Sequence, residues 1–393
     1  MIKIILVICL NFTFLQSFSQ STKKTMKRLP DTGQNMSYTT TFGEDNDYNI
    51  NPQFFIDHGN GTLTDTITGL VWQQTDGGDM TFGNAATYCD TLTLGGYNNW
   101  RLPNAREAFS ILNHQNYNPA LNPTLFKNAS AEYWWTCDSP FSNTTQIWCI
   151  TSEGGLIIKK RTESLGAGGK DKIHVRAVRD AKTPEILKNR FITNSNNTIT
   201  DKLTGLIWEQ IPNPNSNYWE QALLYAENLI TGGFTDWRLP NIKELQSLNS
   251  DNTSNSSIDR EIFKSINTNK YWSSTSLSYQ SSKAWYMSTS LGTTSHDDKT
   301  NTNYFICVRD GQTMSAIKKI IIKNIEVFPN PFTSTINLKG NNENERFEIL
   351  NHIGQIIFSG KEIETQDFSL LPNGVYVLKI IDKTTSILKL IKN

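Results

Sequence analysis

The chain has 393 residues, 11% of them aromatic, which is enough to build more than one core. Its 37 Lys and Arg balance 37 Asp and Glu, which excludes the basic surplus that bulk nucleic-acid binding requires. Mean hydropathy is low, as suits an extracellular β-rich protein with polar loops.

Residues 1–19 read as a secretory signal peptide. A single early lysine, Lys3, precedes the apolar run Ile4 to Leu10, and small Ser17 and Ser19 stand before a cut after Ser19. Asn11, Thr13 and Gln16 break the run, which is too short to span a bilayer. No later segment could span one, so no transmembrane segment is expected after cleavage. Residues 20–53 are polar and read as a leader with an entry strand or two.

From Phe54 the chain reads strand, Gly-rich turn, strand, and then the apolar strand Leu70-Val71-Trp72. Phe82, Ala85, Ala86, Cys89 and Leu92 fall at helical spacing, and Gly95-Gly96 is expected to end that helix with positive φ. Trp100-Arg101-Leu102-Pro103 is extended, because a residue before proline avoids the helical region. Asn104 and Glu107 have capping-box spacing for a second helix. Trp-rich strands follow, ending at Val178-Arg179-Asp180.

The same sentence then returns. Gly69-Leu70-Val71-Trp72 recurs as Gly205-Leu206-Ile207-Trp208, Trp100 to Glu107 as Trp237 to Glu244, and Val178-Arg179-Asp180 as Val308-Arg309-Asp310. The offset is 137 residues from Trp100 to Trp148 and 130 at Arg179. A period that long is a duplicated domain rather than a solenoid unit. The expected layout is domain one at 54–180, a linker at 181–189, domain two at 190–311 and a second linker at 312–324. The fold class is α+β, an antiparallel sheet with two helices in each copy. Residues 325–393 follow as an all-β Ig-like sandwich of six or seven short strands.

Several residues invite a functional reading. Lys159, Lys160 and Arg161, with Lys170 and Lys172 around the loop Gly166-Ala167-Gly168-Gly169, make a basic stretch where copy two has His296-Asp297-Asp298. If these cations converge on one rim they would hold a sulfated or carboxylated glycan in a salt-dependent way. Trp134, beside Trp135 on one strand, is the candidate exposed aromatic, because adjacent strand residues face opposite ways. Arg101 with Glu107, and Arg238 with Glu244, are read as a cap and its ion pair rather than a site. Cys137 and Cys149 flank a polar loop between two strands and are expected to form a disulfide. Cys89 and Cys307 align with Ala226 and Ala177 and are read as buried thiols in preference to an inter-domain bond. Asp57 to Asp65 has too few carboxylates for a calcium loop and reads as a hairpin turn. No cofactor is expected, and no His pair at metal spacing, nucleophile elbow or phosphate loop points to an enzyme.

Both copies resemble the Lcl C-terminal domain family, formerly a domain of unknown function. The marks are Thr-Asp-x-x-Thr-Gly-Leu-x-Trp, Gly-Gly-x-x-x-Trp-Arg-Leu-Pro-Asn-x-x-Glu, Trp-Trp-Thr at 134 and Tyr-Trp-Ser at 271, and the closing Val-Arg-Asp. The Arg-Leu-Pro-x-x-x-Glu core is also similar to C-type-lectin-like and sulfatase-modifying folds. The resemblance implies a surface adhesin or carbohydrate-binding protein whose partner is an extracellular glycan, sulfated or acidic. The alternatives it leaves are an envelope scaffold for protein partners and a formylglycine-generating-like enzyme. The last segment resembles the type A C-terminal sorting domain of the type IX secretion system, through Val327-x-Pro329-Asn330-Pro331-Phe332, Gly354, Leu371-Pro372-x-Gly374-x-Tyr376 and Lys389 to Lys392. That likeness implies the secretion machinery as a partner of residues 325–393, and a secreted or cell-surface protein that passes the periplasm and outer membrane.

Overall fold

The computed structural model describes residues 21–48, 50–127, 131–140, 143–161, 173–249, 256–311, 326–339, 345–351, 356–381 and 385–392. The signal peptide, Lys170, Lys172 with their Gly-rich loop, the linker at 312–324 and Gly354 lie outside these residues. The chain divides into two compact units, one ending at Gly311 and one starting at Gln312. Both repeats therefore belong to a single unit.

The leader contributes β1 (Thr22–Lys24). Repeat one supplies β2 (Phe55–Asp57), β3 (Thr62–Asp65), β4 (Leu70–Gln73), α1 (Phe82–Thr91), α2 (Ala105–Ser110), β5 (Tyr133–Trp135), β6 (Gln146–Thr151), β7 (Leu156–Lys160), β8 (Ile173–His174) and β9 (Val178–Asp180). β10 (Glu185–Leu187) lies in the connection between the repeats. Repeat two supplies β11 (Phe191–Thr193), β12 (Thr198–Asp201), β13 (Ile207–Glu209), α3 (Trp219–Asn228), α4 (Ile242–Ser247), β14 (Lys270–Ser276), β15 (Lys283–Ser288), β16 (Thr294–Asp298) and β17 (Val308–Arg309).

Each repeat has two sheets rather than one. The first runs β2-β3-β4-β9 in repeat one and β11-β12-β13-β17 in repeat two, so the closing Val-Arg strand returns beside the Gly-Leu-x-Trp strand. The second runs β7-β6-β5-β8 and β14-β15-β16. In it β8 pairs parallel with β5, an exception to the antiparallel expectation. Asn104 and Asn241 cap α2 and α4 in complete capping boxes with Glu107 and Glu244. The glycine pairs do not end α1 and α3. Those helices close at Leu92 and Leu229, and the glycines follow as tight turns joining Leu94 to Tyr97 and Thr231 to Phe234. Both glycines of each pair have positive φ, which that hairpin turn demands. A side chain at Gly95 would also meet Thr62 at 2.6 Å.

The leader is not an exposed linker. β1 pairs with β10, so the inter-repeat connection is itself half of a two-stranded sheet. Further along, Asp31, Thr32, Gln34, Glu44 and Asp45 are buried, and they bridge both repeats. Asp45 accepts from Thr32 at 2.7 Å and from Thr275 at 2.6 Å. Gln34 accepts from the Ser276 N–H, and the Thr32 carbonyl accepts from the His114 N–H. Burial pushes the Asp31 carboxyl up to about 8 and Asp45 up to about 6, while buried Lys243 is pushed down to about 7.

The repeats also meet directly, in reciprocal fashion. Arg106 on α2 donates to the Ser247 carbonyl at 3.3 Å, and Lys243 on α4 donates to the Ser110 carbonyl at 2.8 Å. These pairs are exchanged by the 137-residue offset, so the contact is isologous, like a two-fold dimer within one chain. Trp285, Leu277 and Ile242 of repeat two join the core of repeat one.

The second unit comprises β18 (Glu326–Phe328), β19 (Asn337–Lys339), β20 (Arg346–Leu350), β21 (Ile356–Gly360), β22 (Gly374–Ile381) and β23 (Thr385–Lys392). A β18-β19 pair and a four-stranded sheet of order β21-β20-β22-β23, with one 3-10 turn at Ile363–Thr365, make it mainly β among the described residues. Its core includes Phe332, Ile349, Phe368, Tyr376 and Leu378.

Candidate functional site

The basic stretch predicted from sequence lies on β7, the edge of its sheet. β7 pairs with β6 so that Lys159 stands opposite Ile147 and Lys160 opposite Gln146. Side chains alternate along β7, so Lys159 and Lys160 face opposite ways and do not form one rim. Lys159 Nζ sits 4.1 Å from the Tyr133 ring centroid, and the Arg161 guanidinium 4.9 Å from that of Phe82. Arg161 also donates to Ser139 Oγ at 3.2 Å. The structure thus brings Lys159 and Arg161 onto aromatic partners and leaves Lys160 exposed at the strand end.

Trp134 is not an exposed platform. It is 2% exposed, and its indole N–H donates to Asp76 at 3.1 Å. Strand alternation misleads here because both faces of the sheet are covered, one packed with Trp134, Trp148 and Ile150 and the other with Trp135, Ile147 and Cys149. Nor do Cys137 and Cys149 form a disulfide. Neither sulfur is bridged. The register sets Cys149 opposite Trp135, two residues short of Cys137. Cys149 is buried in the core, whereas Cys137 donates to the Asp138 carboxylate at 3.5 Å. Cys89 and Cys307 are buried free thiols in separate cores. The Asp57 region is the hairpin turn between β2 and β3, with Asp57 accepting from the Gly59 N–H at 2.8 Å.

The Arg-Glu pairs are structural. Arg101 Nη1 and Nη2 reach the Glu107 carboxylate at 2.7 and 2.8 Å, and Arg238 reaches Glu244 at 2.6 and 2.8 Å. Asp180 and Asp310 close the arrangement by binding the same guanidinium groups at 2.6 and 2.9 Å. Each motif therefore ties the start of a helix to the end of the last strand.

Two clusters escaped the sequence reading. In repeat one, buried Asp76 accepts from Trp134 and from His174 Nδ1 at 3.0 Å, with Arg176 3.7 Å away. Burial works to raise the Asp76 carboxyl, yet the His174 bond and the Arg176 charge hold it below the usual range. At the offsets of the duplication repeat two has Asn213, Tyr271, Tyr304 and Ile306 instead, and Tyr271 stacks on Tyr304. The signal was present as an internal difference, but Asp76 and His174 are 98 residues apart. The second cluster is the corner where Arg179 lies over Tyr97, and Arg309 over Phe234, each 3.8 Å from the ring centroid.

Among the described residues no group of three or more His, Cys, Asp or Glu is placed to hold a metal ion. No helix among them is long and apolar enough to cross a membrane.

A family model described as the Lcl C-terminal domain matches residues 61–179 and again 197–309. A second, described as a secretion system C-terminal sorting domain, matches residues 326–393. The protein is accordingly exported across the outer membrane and is secreted or held at the cell surface. No curated protein matches the chain. Among solved structures there is similarity to PorZ of Porphyromonas gingivalis, described as an essential bacterial surface component of the type-IX secretion system. The identity is 11%, over 66% of this chain and 30% of that one, with a TM-score of 0.17. That likeness is too distant to bear on fold or function.

Proposed function

The chain belongs to the Lcl C-terminal domain family, and from that premise we propose that it is an adhesin or carbohydrate-binding protein without catalytic chemistry. The observation that carries the reading is the cation–aromatic edge of β7, where Lys159 and Arg161 lie against Tyr133 and Phe82 beside exposed Lys160. Cations at an exported surface attract acidic polymers, and aromatic faces offer apolar area for sugar rings. Repeat two carries His296, Asp297 and Asp298 on the corresponding strand, with Asp297 paired to Lys270 at 2.8 Å, so that strand lacks the Lys-Lys-Arg run that would attract an acidic glycan. The thiols give no support to an oxidase. Burial pushes Cys89 up to about 12 and raises Cys307 well above its ordinary value, so neither is a ready thiolate.

Binding of the secreted chain to a glycan array at low and high salt tests this. The expected result is salt-sensitive binding to sulfated or carboxylated glycans that weakens when Lys159, Lys160 and Arg161 are replaced together by Ala. A blank array with folded protein overturns the reading in favour of an envelope scaffold that binds protein partners.

A further inference from the structure

The Arg-over-aromatic corner is built twice, and the two copies differ at one residue. In repeat two, Arg309 donates from Nε and Nη2 to the two carboxylate oxygens of Asp236, at 2.7 and 2.9 Å. That is the side-on, two-point recognition of a carboxylate by guanidinium, with Phe234 beneath it. In repeat one the matching position is Asn99, whose Oδ1 accepts from Arg179 Nε at 2.8 Å. The Asn99 amide nitrogen replaces the second oxygen, so it is a donor where Arg179 wants an acceptor. Among the described residues no carboxylate pairs with Arg179. The corner also faces water: Tyr97 is 41% exposed, Asn99 is exposed and Arg179 is half-buried.

We infer that Arg179, Tyr97 and Asn99 form a receptor for the carboxylate of a sugar acid, which would bond the Arg179 Nη groups that Asn99 does not take, whereas in repeat two Asp236 takes both Nε and Nη2 of Arg309. Repeat two shows what the corner binds. A guanidinium stacked on a ring is fixed in orientation, so little freedom is lost when its remaining N–H groups are engaged. Asn99 adds an amide donor toward the same anion, and the half-exposed Tyr97 ring offers apolar area beside it. The exposed amides of Asn60 and Asn98 flank the same glycine turn and suit sugar hydroxyls better than an apolar partner. A uronic acid combines the required carboxylate with such hydroxyls. The assignment rests on the carbohydrate-binding reading, but it names a site separate from β7 and a narrower ligand.

The test is calorimetric titration of the full chain with trigalacturonate and with its methyl ester. The acid is expected to bind at one site and the ester not to bind. Asn99→Asp, which copies repeat two, should weaken binding at least tenfold, and by more than Asn99→Ala, which removes the amide donor without supplying a carboxylate. The Lys159, Lys160, Arg161 triple variant should retain the interaction. Binding that Asn99→Asp leaves intact, or an ester that binds as well as the acid, overturns the assignment. Loss in the triple variant with no effect of Asn99→Asp overturns this site yet leaves the glycan-binding reading standing. A blank glycan array sinks that reading itself. Perturbation of the Arg179 side-chain N–H resonance by galacturonate monomer reads the corner independently of any array, and its absence at saturating monomer counts against the site.

Discussion

Where repeat one has Gln73 and Asn99, repeat two has Glu209 and Asp236, and each time the second copy puts a carboxylate where the first is neutral. Repeat one in turn buries an Asp76–His174–Arg176 network for which repeat two has Tyr304 and Ile306. What the copies share is of another kind: capping asparagines, Arg-Glu pairs, glycine turns and tryptophans packed in cores. The duplication has kept the residues that hold the backbone and let the charges around it drift. Retention between the copies therefore marks scaffold, and divergence marks the places where one copy can do what the other cannot.

The comparison can be broken first at the shared scaffold. Arg238 is 4% exposed at its side chain against 26% for Arg101, although both bind the equivalent Glu and Asp carboxylates. Arg238→Ala leaves Glu244 buried without its guanidinium and should cost about 3–5 kcal/mol. Arg101→Ala opens a path for water to Glu107 and should cost roughly half of that. Urea unfolding of the two variants checks the order, and equal losses would mean that burial does not distinguish the two pairs.

A second break runs through position 209. Burial raises the Glu209 carboxyl to about 7, against the help of a 2.6 Å bond from the Cys307 N–H. A carboxyl raised on folding contributes stability that is complete below its unfolded value and is lost as pH rises through about 7. Glu209→Gln, the residue type of repeat one, should leave stability at pH 5 nearly unchanged and add about 2 kcal/mol at pH 8.5. Gln73 shows that the amide is accommodated, accepting from the Ala177 N–H at 3.0 Å. Thermal unfolding at the two pH values decides it, and a gain of equal size at both would mean that ionisation is not the cause. Smaller again, Asn104→Ala and Asn241→Ala should each cost about 1 kcal/mol, since both copies use the same capping box. Loss from only one of them would mean that tertiary contacts, not the cap, hold that helix.

The elements that sequence made legible are those whose determinants are local. Proline after Leu102 and the Asn-x-x-Glu spacing each constrain a few neighbouring residues, so their structures follow from the string, while the paired glycines fixed a positive-φ turn but not its place beyond the helix end. The leader was not legible, because Asp45 and Gln34 find their partners 230 and 242 residues away, and an uncompensated Asp or Gln in a polar stretch looks like solvated linker. Trp134 failed for a related reason. Alternation distinguishes faces only when one of them meets water, and here each is covered by its own core. The basic stretch was legible as composition but not as geometry, since strand alternation separates Lys159 from Lys160.

The finest cut is at Asp236. It is the exposed partner of its pair, 59% exposed against 7% for Arg309, so Asp236→Asn should change stability by no more than about 1 kcal/mol. Its interest lies in what it would free. The substitution gives repeat two the donor pattern of repeat one, with an amide facing a guanidinium already stacked 3.8 Å from the Phe234 centroid. If the residue at this corner decides whether the arginine is satisfied internally, the variant should bind trigalacturonate with a stoichiometry near two, the second site weaker because Arg309 is more deeply set. The reverse exchange at Asn99 should weaken the parent's single site at least tenfold, and the double exchange should move the stronger site from one repeat to the other. Stoichiometry that stays at one in Asp236→Asn would mean that the corner of repeat one depends on something besides this residue, and the more open setting of Arg179 would then be the difference that matters.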